Sequence, residues 1–464
     1  MKTRIHSLIL TIALLLSAFA GCSSDTETLK DNPDNTPTGI SSDVPETEPD
    51  YSWFEMPEET DTLVLYSGNW TQSDIYQKAI PIFKNLYPDV QIELKNMGDE
   101  EYVNTLRTEI PAGKGPDLVL GTSFYDLRDV YKTMEARVFD DLNPYIVADD
   151  DFSLDDYIKG IMDAGVFKGE RLVLPFSHRP MILTTSAELL AEEAITAEDL
   201  TDFDRFLAIC ERYRGTHPGK FFMDEGLSRL PEDQQLMLFR ELFLYSGIQF
   251  FDYENRTVVL NREELKKVCD FVRLYDPATV ESERTAEEKK KLKSLGTWDL
   301  ILKRKCLFYS TQSAGLSLMM TRYTVAKKGE TPVTVVMPDI SGAGCTEINF
   351  FIAIPKGAKN KLNAWRFLKV LMSDEIQGDS EKVMSIYSPV LIRATKEIIE
   401  AQGYPDEEID ALAQSLNAID RAYMLPPVQW IYLRDHMMPY LTGERDFDVC
   451  YGDLLSELEL YIDE

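Results

Sequence analysis

Apolar positions change period along the chain, and each change marks an element. Thr62–Ser67 and Val90–Leu94 read as strands, and between them Ile75, Ala79, Ile82, Phe83 and Leu86 recur at helical spacing. Thr71 with Asp74 is the expected capping box of that helix, and Pro81 predicts a kink or a restart inside it. A further helix over 100–110 stops at Pro111-Ala112-Gly113, and the Gly115-Pro116-Asp117 turn leads into the strand Leu118–Leu120. Asp117 stands where it can cap backbone amides at the mouth of that strand. Much later, Ile348 to Ile354 is an almost unbroken apolar run ended by Pro355, which suits a strand covered on both faces. Asn360 caps the helix that follows, and Leu362, Ala364, Trp365, Leu368, Leu371 and Met372 form its apolar face, with Trp365 assigned wholly to the core. Successive strand–helix units predict an α/β fold whose sheets are mainly parallel and flanked by helices, with ligands held beyond the carboxyl ends of the strands. Helical patterns fill 199–295, at 203–212, 233–245 and 263–275.

The amino end has a different character. Lys2 and Arg4 precede an apolar run from Leu8 to Ala20, too short to span a bilayer and remain there, so residues 1–21 read as a secretory signal. Residues 22–61 are rich in Asp, Glu, Ser, Thr and Pro and cannot bury enough apolar surface to fold alone. They form a tether that would hold the rest ~30–35 Å from its anchor. The Tyr51-Ser52-Trp53-Phe54 island stands out within it, as a segment that docks or as sticky linker.

Several stretches resemble one family in the same order. They are FKNLYPDVQIEL at 83–94, the Ala-Gly-x-Gly-Pro-Asp-Leu segment at 112–118, and FIAIPKGAKN followed by AWRFLKVL at 351–371. This succession resembles the extracellular solute-binding proteins of bacterial ABC importers, the carbohydrate-type, maltose-binding class. The resemblance implies a two-lobed clam shell of the type II periplasmic-binding-protein kind. Lobe 1 would comprise 62–178 and about 332–387, and lobe 2 would comprise 179–331 and about 388–464. Arg171–Phe176 and Met181–Ser186 resemble the strands of the crossover, although Thr184-Thr185-Ser186 replaces the family's tyrosine-asparagine. Phe19-Ala20-Gly21-Cys22 resembles a lipobox, with Phe19 where that pattern has leucine, which would make Cys22 a lipidated first residue. The alternative is an ordinary signal peptide cut near Ala20.

Charge then narrows the function. The chain carries 79 Asp and Glu against 48 Lys and Arg, and removing 1–21 takes the formal charge from −31 to −33. Such an excess excludes nucleic acid, whose binding rests on basic residues neutralising phosphates. The five cysteines other than Cys22 are far apart with no Cys-x-x-Cys pair, so buried free thiols are expected, with one disulfide left open. No cofactor and no metal site are expected. His178, His217 and His436 are isolated, Asp149–Asp156 lacks the glycine of an EF-hand loop, and Gly113-Lys114-Gly115 lacks the spacing of a P-loop. Nucleophile elbows and zinc-protease motifs are likewise missing, so the expectation is a binding protein and not an enzyme, although carboxylate pairs for glycan hydrolysis are spatial and stay open.

A sugar offers flat faces to aromatic rings and hydroxyls to amides and carboxylates. Trp70, Tyr125, Tyr387 and Trp430 are the stacking candidates, and Asn69, Asp126, Arg179, Gln312, Ser313 and Gln429 the polar ones. His178 beside Arg179 faces either solvent or the cleft. For every aromatic the competing assignment is core packing. The expected partners, implied by the resemblance, are a small solute, permease subunits and a membrane touched through lipid alone, with the chain itself a monomer outside the cytoplasm. A surface sensor of the same fold that does not transport is the other reading, and a glycan-acting enzyme the third.

Overall fold

The computed structural model describes residues 51–68, 70–122, 127, 129–223, 231–294, 303–384 and 387–463. Among the described residues, 51–55 and 56–463 fall in separate units. Within the first, the Phe54 amide closes a turn on the Tyr51 carbonyl at 2.9 Å, and Trp53 is 70% exposed. The signal segment, Cys22 and most of the tether lie outside the described residues.

The first lobe begins with the parallel pair opened by β1 (Thr62–Ser67), and its main sheet, the first sheet, is completed on the first pass by β6. Along the way the chain makes α1 (Trp70–Leu86), β2 (Gln91–Asn96), β3 (Val119–Thr122) and α2 (Val130–Glu135). A hairpin of β4 (Val166–Phe167) and β5 (Glu170–Arg171) then leads to β6 (Leu174–Pro180). β1 and β2 pair in parallel, and Leu65 bridges to Leu118 at the approach to β3. α1 runs unbroken through Pro81, and it starts at Trp70, so Thr71 and Asp74 lie inside it and form no capping box. The buried Gln72 does related work, accepting from the Gly68 amide at 2.7 Å and donating to the Leu120 carbonyl at 2.7 Å.

After β6 the chain passes directly into a second sheet. Its elements are β7 (Ile182–Ser186), β8 (Phe221–Met223), α3 (Pro231–Tyr245), the hairpin β9 (Phe251–Asp252) and β10 (Thr257–Val258), β11 (Cys306–Thr311), α4 (Leu316–Lys327) and β12 (Pro332–Val336). The strand order is β12-β7-β11-β8. The chain returns to the first sheet through β13 (Cys345–Ala353), which pairs antiparallel with both β3 and β6. α5 (Lys361–Leu371) follows, then β14 (Ser388–Pro389) on β6 and β15 (Arg421–Tyr423) on β13. α6 (Pro427–Leu441) and α7 (Phe447–Asp463) close the chain against the aromatic core of the second lobe.

Two expectations change. Both sheets are mixed instead of mainly parallel, because a strand arriving from the other lobe enters beside strands that run the opposite way: β13 against β3 and β6, and β7 against β11 and β12. The lobe limits shift as well. β12 belongs to the second sheet, so the return crossing is 337–344 and not 332, and β14 and β15 stay with the first sheet beyond residue 388.

The apolar run in β13 is explained by its place. It lies between two strands and is buried on both faces at all but one of its positions. Asp117, 3% exposed, ties this region together, accepting from Val64 at 2.8 Å and from the Lys359 and Asn360 amides at 2.7 and 3.0 Å. Asn360 in turn caps α5 through the Asn363 amide, and Trp365 is buried among Tyr145 and Phe152 with its indole N–H on Asp149 at 2.7 Å. Cys210, Cys269, Cys306, Cys345 and Cys450 are buried free thiols.

Candidate functional site at the lobe crossing

Residues alternate sides along a strand, and at the carboxyl end of β6 this alternation separates two neighbours. His178, fully buried, turns into the sheet with Nδ1 2.9 Å from the Thr346 hydroxyl. Burial disfavours its charged form and pulls its pKa down to about 3, so the ring is neutral and shielded from solvent. Arg179 turns the other way. It stands opposite Glu347 of β13 in the register, one residue from the point where the chain leaves the first sheet.

Four charges meet there. Arg179 donates to Gln312, at the end of β11 in the second sheet, and lies 3.9 Å from the Glu347 carboxylate. Gln312 donates through Nε2 to Glu241 at 3.0 Å and to the Tyr245 hydroxyl at 3.3 Å, while Tyr245 donates to the Arg179 carbonyl at 2.8 Å. Arg240 bonds Glu241 at 3.1 Å and Glu347 at 2.5 Å. Two guanidinium groups and two carboxylates therefore cancel within one network built from β6, β13, β11 and α3. Burial drives the Glu241 carboxyl upward against the pull of Arg240. Burial also opposes the charge of Arg240, but Glu347 and Glu241 overcome it and leave that guanidinium above its ordinary value. The Glu347 side chain is 4% exposed and that of Arg240 12%, whereas Arg179 keeps 35%, so the network opens to solvent through Arg179.

The same crossing holds Ser313 and Tyr387. The Ser313 hydroxyl donates to the Tyr387 carbonyl at 3.0 Å, and Ser388 receives the Ala314 amide at 3.2 Å, which stitches the end of β11 to β14. The Tyr387 ring is half-buried, edge-on to Phe350 at 5.6 Å. Of the sequence candidates, then, Arg179, Gln312, Ser313 and Tyr387 converge. Gln429 sits elsewhere, 3% exposed at the start of α6, donating to the Tyr253 hydroxyl at 2.5 Å and the Tyr461 hydroxyl at 3.2 Å. Trp430 is 8% exposed and packs on Phe239 in the second-lobe core, the competing assignment for an aromatic. Asn69, Tyr125 and Asp126 lie outside the described residues, and so does the side chain of Trp70. Arg240, Glu241, Tyr245 and Glu347 escaped the sequence reading. Their signal was a charged pair inside the apolar stretch Leu236–Leu244, and one carboxylate inside an otherwise uncharged strand.

The family described as bacterial extracellular solute-binding protein matches residues 78–399, most of the chain. The chain belongs to that family. Membership implies an exported protein, and no helix among the described residues is long and apolar enough to cross a membrane. As a solute-binding protein it is 24% identical over 159 residues to the maltotriose-binding protein of Pyrococcus abyssi, an alignment covering 34% of this chain and 32% of that one. The chain thus spans about a third of the length of the curated relative it matches. Among solved structures it resembles the sugar-binding protein MalE of Xanthomonas citri (TM-score 0.64, 15% identity, 87% of this chain and 97% of the other). It also resembles the cyclic α-maltosyl-1,6-maltose binding protein of Arthrobacter globiformis (TM-score 0.60, 17% identity, 87% and 99%). At these identities the likeness is one of fold, the two-lobed mixed α/β fold of MalE-like binding proteins.

Proposed function

We propose that this solute-binding protein captures a sugar or oligosaccharide between its lobes and delivers it to the permease of an ABC importer, held at the membrane by lipid on Cys22. The lobes would divide at Pro180–Ile182 and again within 337–344, and hinge bending there would open and close the cleft. The observation that carries the reading is the four-charge network at the crossing, with Arg179 as its open end. A neutral ligand needs hydrogen-bond donors and acceptors without net charge, and Arg179, Gln312 and the carboxylates behind them supply both within a balanced set. Tyr387 adds a ring edge beside them. The sugar ligands named for the maltotriose-binding protein and for the Arthrobacter globiformis protein support the carbohydrate class. Capture of this kind needs no bond-making residue, so the protein acts as a receptor and not as an enzyme.

Thermal unfolding of the mature protein against mono- and oligosaccharides tests the reading. A ligand at one hundred times its Kd adds ~2.7 kcal/mol to the folded state. One sugar class should raise the melting temperature of the wild type and lose at least tenfold in affinity in Arg179→Ala. Silence across the sugars would overturn the carbohydrate assignment. Metabolic labelling with a fatty acid, compared between wild type and Cys22→Ala, tests the anchor.

A further inference from the structure

The lobes also meet at two short hairpins. The tight turn of the β4–β5 hairpin puts Lys168 and Gly169 at φ of 51° and 77°. The β9–β10 hairpin is braced by Asp252, which receives the Asn255 amide at 3.0 Å and its side-chain amide at 2.7 Å. A pocket of about 410 Å³ opens between these hairpins, walled by Tyr131, Phe167, Phe251 and Tyr253, with Lys168, Asp252 and Glu254 as its charged lining. Beneath it a smaller cavity of about 120 Å³ shares Tyr131, Gln249, Phe251 and Tyr253 and reaches Gln429.

Elements of both lobes build the walls. Tyr131 begins α2, which follows β3 of the first sheet, and Phe167 is on the hairpin before β6. Phe251 and Tyr253 follow α3 of the second lobe. Tyr131 and Tyr253 stack across the boundary at 4.4 Å and 20°, and Phe167 and Phe251 stand 5.8 and 5.4 Å from Tyr253. The same boundary is clamped around the pocket. Asp129, the cap of α2, receives the Tyr461 hydroxyl from α7, and Arg256 of the second hairpin pairs with Glu135 of α2 at 2.8 Å.

We propose that this pocket is a second binding site, separate from the cleft at Arg179, for a small planar aromatic molecule with a hydrogen-bonding edge. Its volume falls in the ~300–1,000 Å³ range of small-molecule sites, which concentrate at domain interfaces. Ring faces and edges from two lobes suit a flat ring in offset or edge-on contact, with centroids ~4.5–7 Å apart. The lining carries Lys168 against Asp252 and Glu254, a small anionic excess that disfavours an anionic ligand, and the amide of Gln249 supplies the polar edge. Because the walls come from both lobes, the site exists as a whole at one lobe angle only. A molecule bound there shifts the lobe equilibrium by its difference in affinity for the two arrangements.

Indole is the probe, observed by saturation-transfer NMR on the whole mature protein with no sugar present, so the outcome does not depend on the carbohydrate reading. Saturable binding is expected in the wild type and in Arg179→Ala. Val259→Trp fills the pocket from a position 44% exposed, where folding is not at stake, and should weaken binding at least tenfold. Tyr253→Leu, which removes the stacking face but keeps an apolar side chain, should weaken it as well. Binding that survives both substitutions, or that disappears in Arg179→Ala alone, overturns the proposal. So does an absence of binding up to the solubility of indole.

Discussion

His178 gives the sharpest handle on the sheet that carries the site. Folding takes its imidazole from an ordinary value of 6.5 to about 3, because full burial disfavours the charge. The sign follows from proton counting. Between those two values the unfolded chain holds a proton on this residue and the folded chain does not, so stability falls as the pH drops through this window. Each pH unit is worth ~1.36 kcal/mol, so at pH 4.5, two units below the unfolded value, the cost is ~2.7 kcal/mol. His178→Asn keeps a polar atom near the Thr346 hydroxyl and removes the titration. Urea unfolding of both proteins at pH 7.5 and pH 4.5 checks this, since the carboxylates they share cancel in the comparison. Any packing penalty of the variant appears equally at both pH values, whereas the gap between the proteins should move by ~2.7 kcal/mol in favour of the variant on acidification. A movement below ~1 kcal/mol would mean that the imidazole is hydrated or paired in its charged form, and would refute the burial argument.

Four further outcomes are expected. Arg240→Met leaves Glu241 and Glu347 buried with Arg179 as their remaining cation, and should cost about 3–5 kcal/mol in a denaturant titration, where an unchanged midpoint would dismiss the network as a stabilising unit. Asp117→Ala orphans three backbone amides and should destabilise by ~3 kcal/mol or more, with Asp117→Asn recovering part of that in the same assay. Gly247→Ala should lower stability by more than ~1 kcal/mol, because φ there is +79° and the new methyl would stand 2.8 Å from Asp339 Oδ2; a melting temperature equal to wild type would show that the turn relaxes freely. The five cysteines other than Cys22 should ignore an aromatic disulfide reagent at pH 8 and react only on unfolding, since all are buried and burial pushes the thiols of Cys210, Cys269 and Cys345 up. A lipidated Cys22 adds no further thiol to that count.

Periodicity and local chemistry determined the elements. TLVLYS, the run around Ile348–Ile354 and the helix after Asn360 were legible because their burial repeats with the period of the backbone, and Asn360 because capping is local, whereas Asp117 was legible only as an amide acceptor whose partners lie far off in sequence. The two-lobed α/β plan followed from motifs in a fixed order. Tertiary structure decided what depends on partners distant in sequence. The sheets became mixed because β7 and β13 cross between the lobes and enter beside strands running the other way, which no single strand reveals. His178 and Arg179 look alike on a crossover until the pairing of β6 with β13 sends one into the sheet and the other to the opening. Arg240, Glu241 and Glu347 read as oddities within apolar segments until α3 is laid against the crossing, where mutual neutralisation makes their burial tolerable. Trp430, a stacking candidate by sequence, lies in the core for the same reason: an aromatic residue carries the same letter in a core and in a pocket wall, and only the side of the helix it occupies tells them apart.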